Sequence, residues 1–125
     1  MEKQPFLSET EKMRIVQELV PGKQITLAHI IANPDQVLYM KLGLDPAKDH
    51  SHSAIGIITM TPSETAIIAA DIAMKASGAE IGFVDRFSGT LIMLGTVSQV
   101  DSAVKAVNDY AEEVLGFTVC PITKT

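Results

Sequence analysis

A strand-turn-strand unit followed by a helix, over residues 79–116, constrains the fold of this chain more than any other stretch. A short apolar run at 81–84 predicts the first strand, and a run of β-branched and aliphatic residues at 90–97 predicts the second. The turn between them contains Ser88 and Gly89, and glycine can take the positive φ that tight turns require. The two strands are therefore expected to pair as a hairpin.

An amphipathic helix is predicted to follow the hairpin directly. Ser98 is the expected N-cap, because Asp101 three residues later completes a variant of the capping box. Gly116 is a typical C-terminal stop. The apolar residues recur at the i, i+3, i+4, i+7 spacing of one buried face, and they are Val100, Ala103, Val104, Val107, Ala111 and Val114.

The first third of the chain is expected to add a strand and a short helix. Residues 13–20 have an apolar spacing that suits either a helical turn or a strand, and the pattern leaves both open. Residues 24–32 alternate between two faces, which predicts a strand. Asn33 and Pro34 predict the start of a short helix that continues to Gly43, with asparagine as N-cap and proline at the first helical position.

The remaining segments complete a β-α-β-β-α-β order. A nearly all-apolar run at 54–60 predicts a strand, and the capping box Thr-Pro-Ser-Glu at 61–64 predicts an alanine-rich helix to about residue 76. Residues 117–123 predict a last strand, which Pro121 places at a sheet edge. The chain is therefore predicted to be α+β, with a ferredoxin-like core of two helices on one face of an antiparallel sheet and an added N-terminal strand and helix.

Size and charge limit the classes of protein to which the chain can belong. Its 125 residues suit one domain, which we assign to residues 13–125 after a flexible tail at 1–12. The formal net charge of −5 argues against nucleic-acid or anionic-membrane partners, which require clustered Lys and Arg. No apolar stretch approaches the roughly 18 residues of a membrane span, and the N-terminus does not resemble a signal peptide. A single cysteine also fits a reducing compartment, so we expect a cytoplasmic protein.

Residues that could carry chemistry are few and scattered. His50 and His52 have a spacing that could bind a metal ion, but their polar loop offers no convincing third ligand, and we interpret it as solvated. His29 lies between apolar strand residues, which indicates a hydrogen-bonded structural histidine. Cys120 is interpreted as a buried, unreactive thiol, and Asp85-Arg86 as a solvated ion pair in a turn. We therefore predict no catalytic residues, no metal, no cofactor and no enzyme activity.

From residue 54 onward the sequence resembles the shell-forming domain of bacterial microcompartments. The matching features are an Ala-Ile-Gly strand, an Ala-Ala-Asp helix that ends in Lys75, a glycine-bearing strand-turn-strand and the helix start Gly-Thr-Val-x-x-Val-x-x-Ala-Val. A piece that the usual member carries near its C-terminus comes first here, as Leu-Ala-His-Ile-Ile-Ala-Asn-Pro at 27–34. This order is similar to the circularly permuted subfamily of ethanolamine- and propanediol-utilisation shells.

The resemblance implies a cyclic homohexamer that tiles, with other shell proteins, around encapsulated enzymes. It places the turn between the two hairpin strands at the six-fold axis, so that the pore is lined by Arg86, Phe87, Ser88 and Gly89. Lys75 and Asn33 would lie at the hexamer edge. The segment before the first strand would form a six-chain β-barrel over the pore, which favours the strand alternative for it; its residues are Arg14, Ile15, Val16, Gln17, Glu18, Leu19 and Val20.

This sequence also departs from the family pattern. Asn33 replaces the family's edge arginine, and Phe87 lies in a shorter turn than usual, which predicts a narrow, apolar opening. Residues 24–32 and 117–123 both resemble the same family strand, and either could fill its position in the sheet. The alternative function is a small-molecule-sensing regulatory domain, which can share the β-α-β-β-α-β layout.

Overall fold

The computed structural model of the chain describes residues 22–44 and 53–125. The predicted tail at 1–12, the ambiguous segment at 13–20, His50 and His52 lie outside the described residues. The described residues confirm the α+β class and form, in chain order, β1 (Gln24–Ile31), α1 (Gln36–Lys41), β2 (Ala54–Thr61), α2 (Thr65–Ala76), β3 (Glu80–Asp85), β4 (Thr90–Gly95), α3 (Val97–Glu113) and β5 (Thr123–Lys124).

The strands form one sheet in the order β3-β4-β2-β1-β5. The pairs β3–β4, β4–β2 and β2–β1 are antiparallel, whereas β5 pairs with β1 in parallel. In a β-α-β-β-α-β core the position beside the first strand belongs to the last strand. Here β1 fills that position beside β2, so the earlier of the two candidate segments takes the family strand's place in the sheet.

The C-terminal segment contains much less strand than the sequence predicts. Residues 117–123 are not one strand: Thr118 makes a single bridge, and regular pairing with β1 is limited to the two residues of β5. Between these contacts the chain leaves the sheet, because Pro121 has no N–H to donate. The carbonyl of Cys120 instead accepts a hydrogen bond from Asn108 Nδ2 on α3, at 2.9 Å. The predicted edge location is confirmed, since β5 is the outermost strand.

The first two helices begin later than the sequence predicts. Asp35 rather than Asn33 is the N-cap of α1, and its Oδ1 accepts a hydrogen bond from Val37 N–H at 3.0 Å. The expected capping box at 61–64 does not form, because Thr61 is still paired within β2 and α2 begins only at Thr65. The second error arises because Thr61 is engaged in the sheet, which a local pattern does not show.

The third helix begins earlier than predicted. β4 ends at Gly95, and Thr96 then has the extended conformation of an N-cap. Thr96 Oγ1 accepts a hydrogen bond from Gln99 N–H at 3.1 Å, and Gln99 Oε1 accepts one from Thr96 N–H at 2.9 Å. This reciprocal pair is a complete capping box, so Ser98 lies inside the helix and is not its cap.

Apolar clusters cover both faces of the sheet. α2 and α3 lie on one face, where fully buried Val100 and Val104 of α3 approach Gly56 of β2. A Cβ on Gly56 would lie 2.7 Å from Val100 Cγ1, so glycine gives α3 room to pack closely. α2 faces the sheet through the buried small residues Ala66, Ala69, Ala70 and Ala73. The opposite face carries a second cluster, formed by Tyr39, Leu44, Ile55, Ile92 and Leu94.

Candidate functional site

The turn between β3 and β4 is organised by the carboxylate of Asp85. Asp85 Oδ1 accepts a hydrogen bond from the backbone N–H of Phe87, and Oδ2 accepts one from the Ser88 hydroxyl, both at 2.9 Å. These bonds stabilise the ionised form, the backbone N–H most, and they lower the pKa of Asp85; Arg86 adds a smaller effect. The Asp85 carboxylate is therefore bonded to groups of the turn, and the predicted ion pair with Arg86 is wrong: the Arg86 guanidinium lies over the Phe87 ring instead.

Gly89 attaches the turn to the end of β2. Its N–H donates to Asp85 O and its carbonyl accepts from Met60 N–H, both at 2.9 Å. Its φ is +78°, and a Cβ there would lie 2.2 Å from Met60 O. Glycine is required at this position both for its backbone conformation and for the close approach to a neighbouring strand.

The tip of the turn presents an aromatic ring and a cation to solvent. Phe87 is 79% exposed, and the Arg86 guanidinium carbon lies 4.8 Å from the centre of its ring, within cation–π range. An open depression beside the tip is lined by these two residues together with Asp85, Val84 and Ile67. The described contacts give this surface no catalytic arrangement, because its one carboxylate is already hydrogen-bonded within the turn.

The turn lies at the end of the sheet where β1 begins. Gln24, the first residue of β1, pairs with Thr61, and Thr59 of β2 pairs with Thr90, the residue that follows the turn. The described start of β1 and the turn therefore lie at the same end of the sheet.

Lys75 and Asn33 lie toward the other end of the sheet. α2 begins close to Gly89 and runs about 15 Å along its axis before it reaches Lys75. Asn33 follows the far end of β1 and is exposed. Lys75 is also exposed and forms an i,i+4 ion pair with Asp71, at 2.8 Å, which raises its pKa. The structure thus brings residues 86–89 together and separates them from both predicted edge residues.

His29 is a structural histidine, as predicted. Its Nδ1 lies 2.6 Å from Thr123 Oγ1, and its Nε2 lies 2.9 Å from Thr125 Oγ1. Sequence reasoning did not find these partners, since they come from the opposite end of the chain.

Cys120 is half-buried, and desolvation raises the pKa of its thiol, which fits the predicted low reactivity. Among residues 22–44 and 53–125, no group of three or more His, Cys, Asp or Glu could hold a metal ion.

Apolar side chains remain uncovered along α2 and β3. They are Ile67, Ile68 and Met74 of α2 and Phe83 and Val84 of β3, each with about half of its surface exposed. Large apolar side chains left exposed on elements that pack against each other are typical of a surface that another protein covers. Within the part of the chain that the structure describes, no helix has the length and apolar character that a membrane crossing requires.

Comparisons with known proteins agree with the architecture. The family model of the BMC domain matches residues 54–123. The bacterial microcompartment shell protein PduU of Salmonella typhimurium is 52% identical over 125 residues, which is all of both chains. The solved CutR flat hexamer (form 1) is 46% identical, with a TM-score of 0.78 over 85% of this chain and 94% of that one. A CutR screw (form 1) is also 46% identical, with a TM-score of 0.74 over 84% of this chain and 100% of that one. The chain therefore belongs to the bacterial microcompartment shell proteins, a BMC-domain family of structural components rather than enzymes.

Proposed function

We propose that this chain forms a cyclic homohexamer that tiles the shell of a cytoplasmic bacterial microcompartment, beside other shell proteins and around encapsulated enzymes. The observation that carries this proposal is the similarity to the CutR flat hexamer, which extends over 85% of this chain at 46% identity. The uncovered apolar side chains of α2 and β3 support it, because a ring contact between copies would bury them.

In the proposed ring, the turn that contains Arg86, Phe87, Ser88 and Gly89 lines the axial pore. Its attachment to β2 through Gly89 would give six identical turns a defined position. Phe87 is 79% exposed in one chain and would narrow the opening with an apolar ring. Six copies would repeat this surface around the axis, so that one exposed residue per chain shapes the whole opening.

We further infer that residues 14–20 form the barrel over this pore and that the chain is circularly permuted. The permutation is supported by the position of β1, which fills the family strand's place although it comes first in the sequence. The barrel is supported by the start of β1 at the turn end of the sheet, from which preceding residues can reach the axis. Lys75 and Asn33, toward the other end of the sheet, are proposed to lie at the hexamer edge.

Size-exclusion chromatography with light scattering, followed by negative-stain imaging, tests the assembly. We expect a mass of six chains and ring-shaped particles that associate edge to edge. A monomer with a saturable small-molecule ligand would instead support the sensing-domain alternative. An open helical assembly would contradict ring closure, and the CutR screw makes this outcome worth resolving by imaging.

Phe87→Ala tests the position of the turn. Because Phe87 is 79% exposed in one chain, we expect its removal to leave the fold intact and to widen the axial opening in a crystal structure of the variant. Met40→Ala is the matched control, since Met40 is 80% exposed but lies on α1, outside the turn. An opening of unchanged width in Phe87→Ala would refute the assignment of the pore.

A further inference from the structure

The guanidinium of Arg86 is a cation whose N–H donors are not used by the fold. It is exposed and lies 4.8 Å from the centre of the Phe87 ring. Among residues 22–44 and 53–125 it has no hydrogen bond and no ion pair. A ring face attracts a cation electrostatically but supplies no oxygen acceptor for its N–H groups. The donors of Arg86 therefore remain available to an acceptor from outside the chain.

The two carboxylates nearest in the fold have other partners. Both oxygens of Asp85 accept hydrogen bonds within the turn, and its side chain is less exposed than that of Arg86. Ser63 lies at the base of the turn, since its Cα is 3.1 Å from the position of a Cβ on Gly89. The Glu64 carboxylate beside it accepts a hydrogen bond from the Ser63 hydroxyl at 3.5 Å. The tip of the turn therefore presents its positive charge to solvent and keeps its negative charge in internal hydrogen bonds.

The backbone that carries Arg86 is held on both sides. Asp85 accepts from Phe87 N–H at one end of the turn, and Gly89 joins the other end to β2 through Met60. The cation–π contact with Phe87 adds a preferred location for the guanidinium itself. A binding group that is already positioned loses less entropy when a ligand arrives.

We propose that six Arg86 guanidinium groups form one oxyanion-binding site on the axis of the ring, which takes small multivalent carboxylates and phosphates. The site depends on the ring proposed above, with residues 86–89 at its axis. A single exposed guanidinium binds an anion weakly, because water and salt screen its charge. Six groups that converge on one axis act on the same ligand, and guanidinium matches the planar fork of a carboxylate or phosphate.

The site also gives the opening a preference for one sign of charge. A solute on the axis would meet cations beside the apolar rings of Phe87, and low-dielectric walls strengthen the field of charges that line an opening. Small anions are therefore expected to enter more readily than cations of the same size.

Three full-length variants test the role of Arg86. Arg86→Gln removes the charge and should leave the fold intact, since the guanidinium has no hydrogen bond to lose in the described structure. Arg86→Lys keeps the charge but loses the planar fork of donors. Lys41→Gln is the matched control, because it removes one exposed positive charge from α1, outside the turn.

Isothermal titration calorimetry with inorganic tripolyphosphate at low ionic strength measures the site, and light scattering in the same buffer measures the mass. We expect one tripolyphosphate for every six chains in the native protein and in Lys41→Gln. The affinity should fall at least about 10-fold in Arg86→Gln, as the loss of charged hydrogen bonds implies, and by less in Arg86→Lys. Added salt should weaken the binding that remains.

The measured mass separates failure of the site from failure of the ring. A mass of six chains with equal tripolyphosphate affinity in Arg86→Gln and native protein would overturn the site and leave the ring standing. One tripolyphosphate for every chain would overturn the shared axial site, since each turn would then bind on its own. A mass other than six chains would refute the ring, and the axial site with it.

Discussion

Replacing Gly89 by alanine tests whether the turn between β3 and β4 is positioned by its contact with β2. A φ of +78° costs a residue with a side chain about 1–2 kcal/mol. In addition, the new Cβ would lie 2.2 Å from Met60 O, a backbone atom that cannot rotate away. Relief requires the turn and β2 to separate, which weakens the 2.9 Å hydrogen bond from Met60 N–H to Gly89 O and adds strain. We expect the free energy of unfolding to fall by about 3–4 kcal/mol.

Gly116→Ala is the matched control for this experiment. Gly116 has nearly the same φ, +74°, but no atom lies within 4 Å of the position of its Cβ. Its replacement should therefore cost only the conformational part, about 1–2 kcal/mol. Urea unfolding at one fixed protein concentration measures both, since the stability of an oligomer depends on concentration. If Gly89→Ala loses no more stability than Gly116→Ala, the contact with Met60 does not position the turn.

Three further predictions concern a cap, a carboxylate and a thiol. Thr96→Ala should lower the free energy of unfolding by about 1 kcal/mol and Ser98→Ala by less than about 0.5 kcal/mol; equal losses would contradict the observed capping box. Because folding lowers the pKa of Asp85, its stabilising contribution is present above the ordinary aspartate value of about 3.9 and is lost as the pH falls through the lowered pKa. The stability difference between native protein and Asp85→Asn should therefore be constant above about pH 4 and shrink in stronger acid, and a pH-independent difference would contradict this reasoning. Since burial raises the pKa of Cys120, iodoacetamide at pH 7 should alkylate the folded chain more slowly than the urea-unfolded chain; equal rates would show that the thiol is not shielded.

The sequence predicts the existence of most elements better than their ends. Alternation and apolar runs locate β1 and β2, and the 3.6-residue spacing locates the buried face of α3. The exception is Val114, which is predicted on that face but follows the last helical residue and is 61% exposed. Helix starts are wrong where they depend on the length of the preceding strand. Thr61 has the composition of a cap but is paired within β2, and Thr96 becomes a cap only because β4 ends at Gly95. Strand length depends on partners distant in sequence, which a local pattern does not contain.

The candidate site shows the same limit: contacts between residues near in sequence could be predicted, and contacts between distant residues could not. Ser88 and Gly89 are recognisable as a turn because turn chemistry is local, and the structure confirms a turn there. The hydrogen bonds that the Asp85 carboxylate accepts from Phe87 N–H and the Ser88 hydroxyl are also local, and the position of Asp85 at the start of the turn could have indicated them. The environment of His29 could not, because its partners are 94 and 96 residues away in sequence. Only the parallel pairing of β5 with β1 brings them together.

The order of the strands also determines which end of the chain can reach the proposed pore. β2 begins at the end of the sheet opposite to the turn, since Ile55 pairs with Leu94 there, whereas Thr59 pairs with Thr90 beside the turn. If β2 were the first strand, the residues before it would leave the sheet far from the axis. Because β1 precedes β2 and runs antiparallel to it, β1 starts at the turn end instead. A short segment before β1 can therefore cap the proposed pore, whereas one before β2 would have to cross the length of the sheet, so the proposed permutation supports the proposed barrel.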